Sequence, residues 1–367
     1  MNSAVIRLTL ASAVLALSAC SSPPPPAPSG IPVLGDGRHD ANAIEITTLV
    51  GPDDVIEPTD VAFRPDAPTE LWVTTRGDDS MLVIDAPGTD AQSTTRYAAF
   101  GNTHFMPRPS SLAFGAPGFM ATIHEIDRPT QSSTPADFMG PTLWPTERSL
   151  FDGGHASHLD MLHHSPNGVG IAWERDNVYW VIDGHHRSVT RYDFAEDHGP
   201  GQEDHSDGII ARYVDGQIGY VSGVVAHAEF DHDTGLLYIA DPGNNRIVAL
   251  DVASGERAGI IGPNYDGAEM YAVDGATLMT VIEGSEVGLG QPSGLALHDG
   301  MIFVSDPANS VIAAFDLTTR ELLDYVSLAD VAPAGSLAGL ALDAEGRLYV
   351  ADVLGSRVLR LAPLMTR

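Results

Sequence analysis

The chain has 367 residues, 43% of them hydrophobic, with 37 glycines and 26 prolines: enough apolar side chains for a large core, and enough turn formers to interrupt it often. Its 19 basic residues stand against 49 acidic ones for a formal net charge of -30, and every basic residue is an arginine. That balance argues against nucleic acid and anionic surfaces as partners, and the absence of lysine excludes Schiff-base chemistry. No GxxxxGK[ST], GxSxG or HExxH string occurs, so cations, basic peptides and neutral small molecules remain as ligands.

In chain order, residues 1–19 read as a signal peptide: one early charge, Arg7, then an apolar run from Leu8 to Leu17 too short to span a bilayer. The run ends in Leu17-Ser18-Ala19-Cys20, which resembles a bacterial lipobox, and Cys20 is the only cysteine. The resemblance implies lipidation of Cys20, a membrane partner held through that anchor, and a cell-envelope address, outer membrane or periplasmic face. Residues 20–41 then form a tether whose SSPPPPAPSG segment favours stiff polyproline geometry.

From residue 42 onward the pattern is all-β. Ala43 to Val50, AIEITTLV, has strand composition but belongs to no later unit. Next come hairpins, two β-branched or aromatic runs around a tight turn: LWVTTRGDDSMLVID from Leu71, VYWVIDGHHRSVTRYD from Val178, LYIADPGNNRIVALD from Leu237, IFVSDPANSVIAAFD from Ile302 and LYVADVLGSRVLRLA from Leu348. Shorter apolar strands anchored at Val61, Leu112, Ile171, Ala228, Leu295 and Leu340 mark six units. These residues resemble the NHL repeat across nearly all of 42–367, which implies a six-bladed β-propeller. Each blade then has an inner strand A, the hairpin B and C, and an outer strand D. In blade four, D is expected near Arg257 to Ile261. Blade six lacks its own D, and Ala43 to Val50 is expected to supply it and close the ring. The recurring pairs Asp241 with Arg246 and Asp352 with Arg357 read as structural ties across the B-to-C turns.

Strand order sorts the histidines, ten of fourteen of which lie between His155 and His232. D-to-A connections and B-to-C turns open on one face, here the top; A-to-B and C-to-D turns open on the bottom. His155, His158, His163 and His164 are read in the connection entering blade three, His185 and His186 in its B-to-C turn, and His124 near the corresponding turn of blade two. His227 begins strand A of blade four, where the other blades carry Asp60, Ser111, Gly170, Gly294 and Gly339. A site on zinc, copper or iron is therefore expected from His227 with His163 or His164 and His185 or His186. The segment Val225 to Phe230, VAHAEF, is similar to the inner-strand segments by which the peptidyl-α-hydroxyglycine α-amidating lyase presents zinc-binding histidines. Only His227 matches that pattern strictly.

Asp197 to Asp207, DHGPGQEDHSD, joins strands C and D of blade three at the bottom; it reads as a solvated acidic loop, with a calcium or transition ion as the alternative. Two long connections, Phe151 to Asn167 and Gly262 to Gln291, are read as top-face lids. Arg108, Asp60 and Tyr265 are the further ligand-contact candidates at that mouth. DFMGPTLW, Asp137 to Trp144, carries no assigned role. The expected function is capture of a small molecule, peptide or protein on the top face, with a metal-dependent lyase or hydrolase as the alternative.

Overall fold

A computed structural model describes residues 30–98, 104–130 and 132–364. Cys20, the apolar run before it and nearly all of the proline segment lie outside the described residues.

Six sheets, antiparallel apart from one pair of strands in blade three, are arranged as blades in a ring. Blade one comprises Pro58–Arg64, Ala67–Thr75, Ser80–Asp85 and Ser93–Ala98, and blade two Pro109–Phe114, Phe119–His124, Thr142–Pro145 and the short Asp160–Met161. Blade five is Leu295–His298, Met301–Asp306, Val311–Asp316 and Leu322–Ser327. Blade six is Leu337–Leu342, Leu348–Asp352 and Arg357–Pro363, and its fourth strand is Ile44–Val50, antiparallel to Arg357–Pro363. The ring is thus closed by the N-terminal strand, which satisfies the edge that blade six would otherwise expose.

Blades three and four depart from the expected rhythm. Blade three has Gly168–Arg175, Val178–Asp183, Ser188–Asp193 and Ile209–Tyr213, then two more strands, Glu269–Asp274 and Glu256–Arg257, contributed by the chain after strand C of blade four. Glu269–Asp274 runs parallel to Ile209–Tyr213. Blade four is Ala228–Asp231, Leu236–Asp241, Arg246–Asp251 and, as its outer strand, Thr277–Glu283. Arg257 to Ile261 is therefore not strand D of blade four, and the 262–291 segment is not one lid, because Glu269–Asp274 and Thr277–Glu283 within it join the sheets of blades three and four. Both Glu269–Asp274 and Thr277–Glu283 have strand composition; the free edge of blade three captured the first.

The core is six sandwiches rather than one centre. Each pair of neighbouring blades encloses its own buried apolar cluster, such as Trp72, Met81, Met120 and Trp144 between blades one and two, or Trp180, Ile182, Ile239 and Val248 between three and four. Hydroxyls near the inner strands bond the next blade: Thr59 Oγ1 to the Pro109 carbonyl at 3.0 Å, Ser110 Oγ to that of Gly168 at 2.7 Å, and Ser305 Oγ to that of Ala338 at 2.7 Å. The hairpin ties form as expected, Arg246 Nε to Asp241 at 2.8 Å and Arg357 Nε to Asp352 at 2.7 Å. Asp241 also accepts Gly219 N from the connection before blade four, and Asp306 accepts Gly290 N and Gln291 N before blade five, so these buried carboxylates stitch turns to connections. Packing reaches further toward the N-terminus than the strand pattern indicated: Val33 and Leu34 are buried against blades five and six, and buried Asp324 accepts Ile31 N and Gly37 N.

Candidate functional site in the central channel

The six inner strands converge on a channel, and the first residues facing its axis decide its width. Gly170, Gly294 and Gly339 allow neighbouring backbones to approach: a Cβ would lie 2.0 Å from the Ala226 carbonyl at Gly170 and 2.2 Å from that of Ala338 at Gly294. At Gly339 it would meet Asp60 Oδ1 and His227 Cε1, each at 2.4 Å. Into the space left by the glycines project one carboxylate and one imidazole, with His227 Nδ1 3.4 Å from Asp60 Oδ1.

Both groups are buried, but they are not equally satisfied. Asp60 accepts Ser111 Oγ at 2.6 Å, Leu112 N at 3.0 Å and Val61 N at 2.7 Å. Burial pushes its carboxyl up, while His227 and these donors pull it back. Burial pulls the His227 imidazole down, with Asp60 opposing, and its Nε2 has no partner among the described residues. Two residues further along the same strand, and hence on the same side, Glu229 also lines the channel. Half-buried in the channel wall and near the Asp60 carboxylate, its carboxyl is pushed up to about 8, which favours the protonated, hydrogen-bond-donating form.

A cavity of about 440 Å³ runs from Asp60, Ser111 and His227 toward the far ends of the inner strands, past Glu229, to Phe63, Phe114, Trp173, His232 and His298. That places the open half at the bottom. The top mouth is crossed by the connection between blades three and four: Arg76 of blade one bonds the Gly223 carbonyl at 3.0 Å and Glu125 of blade two at 2.8 Å, and Glu125 accepts Tyr220 Oη at 3.1 Å and Gly223 N at 2.5 Å. Blade one lies across the ring from blade four, so this segment must pass over the axis to reach Arg76. Arg76, Glu125 and Glu229 were missed by the sequence reading; Glu229 was already legible, at a spacing of two from His227.

The remaining predicted residues are dispersed. His163 donates Nδ1 to Asp266 at 2.5 Å and packs on Phe138. His164 Nδ1 meets Arg212 Nη2 at 2.5 Å, and burial followed by that guanidinium lowers its pKa to about 4. His186 bonds Asp183 at 2.6 Å and lies between the rings of His164 and the exposed His185, tilted to the first and edge-on to the second. Arg108 is exposed on the top and donates to the Glu125 carbonyl. Tyr265 bonds Asp137 within a brace that also packs on Phe138, giving the DFMG segment a structural part. None of these joins His227 in one coordination sphere: among the described residues the one set of three ligand-type groups within 4.8 Å of one another is Asp160, His198 and Asp207. His155 and His158 precede strand D of blade two and so lie at the bottom, where His155 pairs with Glu203.

Fold and site together define a six-bladed β-propeller whose channel is closed at the top and open below. Solved structures of similar fold include an auxiliary nutrient binding protein from Bacteroides ovatus (15% identity, TM-score 0.54, covering 89% of this chain and 75% of that one). A second, from Bacteroides thetaiotaomicron, has 12% identity and TM-score 0.56 over 87% of this chain and 76% of that one. The luciferin-regenerating enzyme is 12% identical with TM-score 0.55, over 88% and 96%. At these identities the likeness is one of fold, and it agrees with the propeller implied by the NHL-like repeats. The chain matches no protein-family model and no curated protein.

Proposed function

We propose that this protein is an exported, lipid-anchored envelope protein that captures a small neutral or cationic polar molecule in the open half of its channel. The carrying observation is a cavity of about 440 Å³, walled by all six inner strands, with the carboxyl of Glu229 in its lining. This volume suits a small ligand, and the strongly acidic surface disfavours anions and raises the local concentration of cations. Aromatic faces at Phe63, Phe114 and Trp173 offer apolar contact, while Glu229, His232 and His298 offer hydrogen bonds. Two fold neighbours are named as nutrient binding proteins, in keeping with ligand capture. The lipobox-like segment ending at the sole cysteine, Cys20, supports the anchor. The metal-dependent lyase or hydrolase is the weaker reading, because the histidines it needs bond elsewhere. Thermal-shift measurements with amines, amino acids and neutral sugars test capture: one class should stabilise the protein, and Glu229→Ala should abolish that shift. Stabilisation that persists in Glu229→Ala places the ligand outside the channel and overturns the reading.

A further inference from the structure

We propose that Asp160, His198 and Asp207 form a divalent transition-metal site that clamps the C-to-D loop of blade three onto the outer strand of blade two. The sequence pattern offered only the loop, residues 197–207; the fold adds Asp160 from the neighbouring blade. One ligand atom from each of the three lies within 4.8 Å of the others, so a common ion with bonds of ~2.0–2.2 Å would draw them slightly closer together.

Asp160 supplies the independent observation. Its side chain is fully buried, and its Oδ1 is taken twice, by His205 Nδ1 at 2.5 Å and by Met161 N at 2.6 Å. Oδ2 is buried without a partner among the described residues. A buried carboxylate oxygen left unpaired costs on the order of 1–3 kcal/mol or more, a cost that a bound cation would offset. His198 and Asp207 approach from the solvent side, with His198 Nε2 and Asp207 Oδ1 2.9 Å apart. Asp207 Oδ2 is held by Glu196 N at 3.1 Å.

The loop is already docked for this purpose. Gly199 and Gly201, with φ of 87° and 72°, turn it back so that residues nine apart in sequence face each other. Gly201 N bonds the His158 carbonyl of the blade-two segment at 2.8 Å, and Glu203 pairs with His155. His205, donating to Asp160, orients that carboxylate, as groups behind a metal ligand commonly do. An imidazole with two carboxylates suits a first-row divalent ion such as zinc or manganese, whereas calcium takes six to eight oxygens.

The test uses the untagged protein purified in detergent, stripped with chelator and titrated calorimetrically with Zn²⁺, Mn²⁺ and Ca²⁺ separately. One equivalent of Zn²⁺ or Mn²⁺ should bind, with affinity at least tenfold weaker in His198→Ala and in Asp207→Asn and retained in His185→Ala on the opposite face. Both altered ligands are solvent-facing, so folding is preserved and is checked by circular dichroism. Equal affinity in the His198 and Asp207 variants, binding of Ca²⁺ alone, or no binding at micromolar ion overturns the proposal.

Discussion

Asp60 and His227 stand on opposite blades of the ring, one and four, yet His227 Nδ1 lies 3.4 Å from Asp60 Oδ1. The pair spans the channel at the upper end of the cavity, on the side of the covered top mouth. This contact depends on Gly339, which leaves both groups room.

Gly339→Ala should therefore destabilise the protein by about 1–3 kcal/mol, the usual cost of overpacking a close-packed site, because the new methyl would overlap Asp60 Oδ1 and His227 Cε1. Urea denaturation measures it. Adding His227→Ala should recover part of the loss, since one of the two collisions is removed.

Glu229 gives stability a pH dependence of defined sign. Its carboxyl is raised from an ordinary value of 4.5 to about 8, so between those limits the native state keeps a proton that the unfolded state has lost. Stability should fall as pH rises through that window. Glu229→Gln, which keeps the shape without the charge, should flatten the slope and make the protein more stable than wild type at pH 8. Unchanged slopes in melting temperature against pH would refute the assignment.

Closure is carried by Ile44–Val50. Deleting that strand should expose the Arg357–Pro363 edge and produce aggregation, visible by light scattering, whereas deleting residues 21–29 should leave the melting temperature unchanged.

Cys20→Ser should shift the protein from the membrane fraction to the soluble exported fraction while its circular dichroism stays that of a propeller. Membrane association that persists in the variant would show that the anchor is something other than the Cys20 lipid.

The sequence by itself determined the blade count, the hairpins and the closing strand, because these depend on local alternation and turn chemistry. Val61, Leu112, Ile171, Ala228, Leu295 and Leu340 mark the inner strands wherever the ring places them, and AIEITTLV was the spare strand for an incomplete blade. The channel position of His227 was legible for the same reason, as the first residue of an inner strand. What only the tertiary structure decided was pairing between segments far apart in the chain. Glu269–Asp274 had strand composition, but its attachment to blade three rests on which sheet edge was free, and backbone hydrogen bonding does not discriminate between edges. His163 and His164 carry no sequence mark to say that their partners are Asp266 and Arg212. Asp160, in a two-residue strand, meets His198 and Asp207 only because blades two and three stand side by side. Side-chain chemistry was written locally; its proximity was set by the packing of one blade on the next.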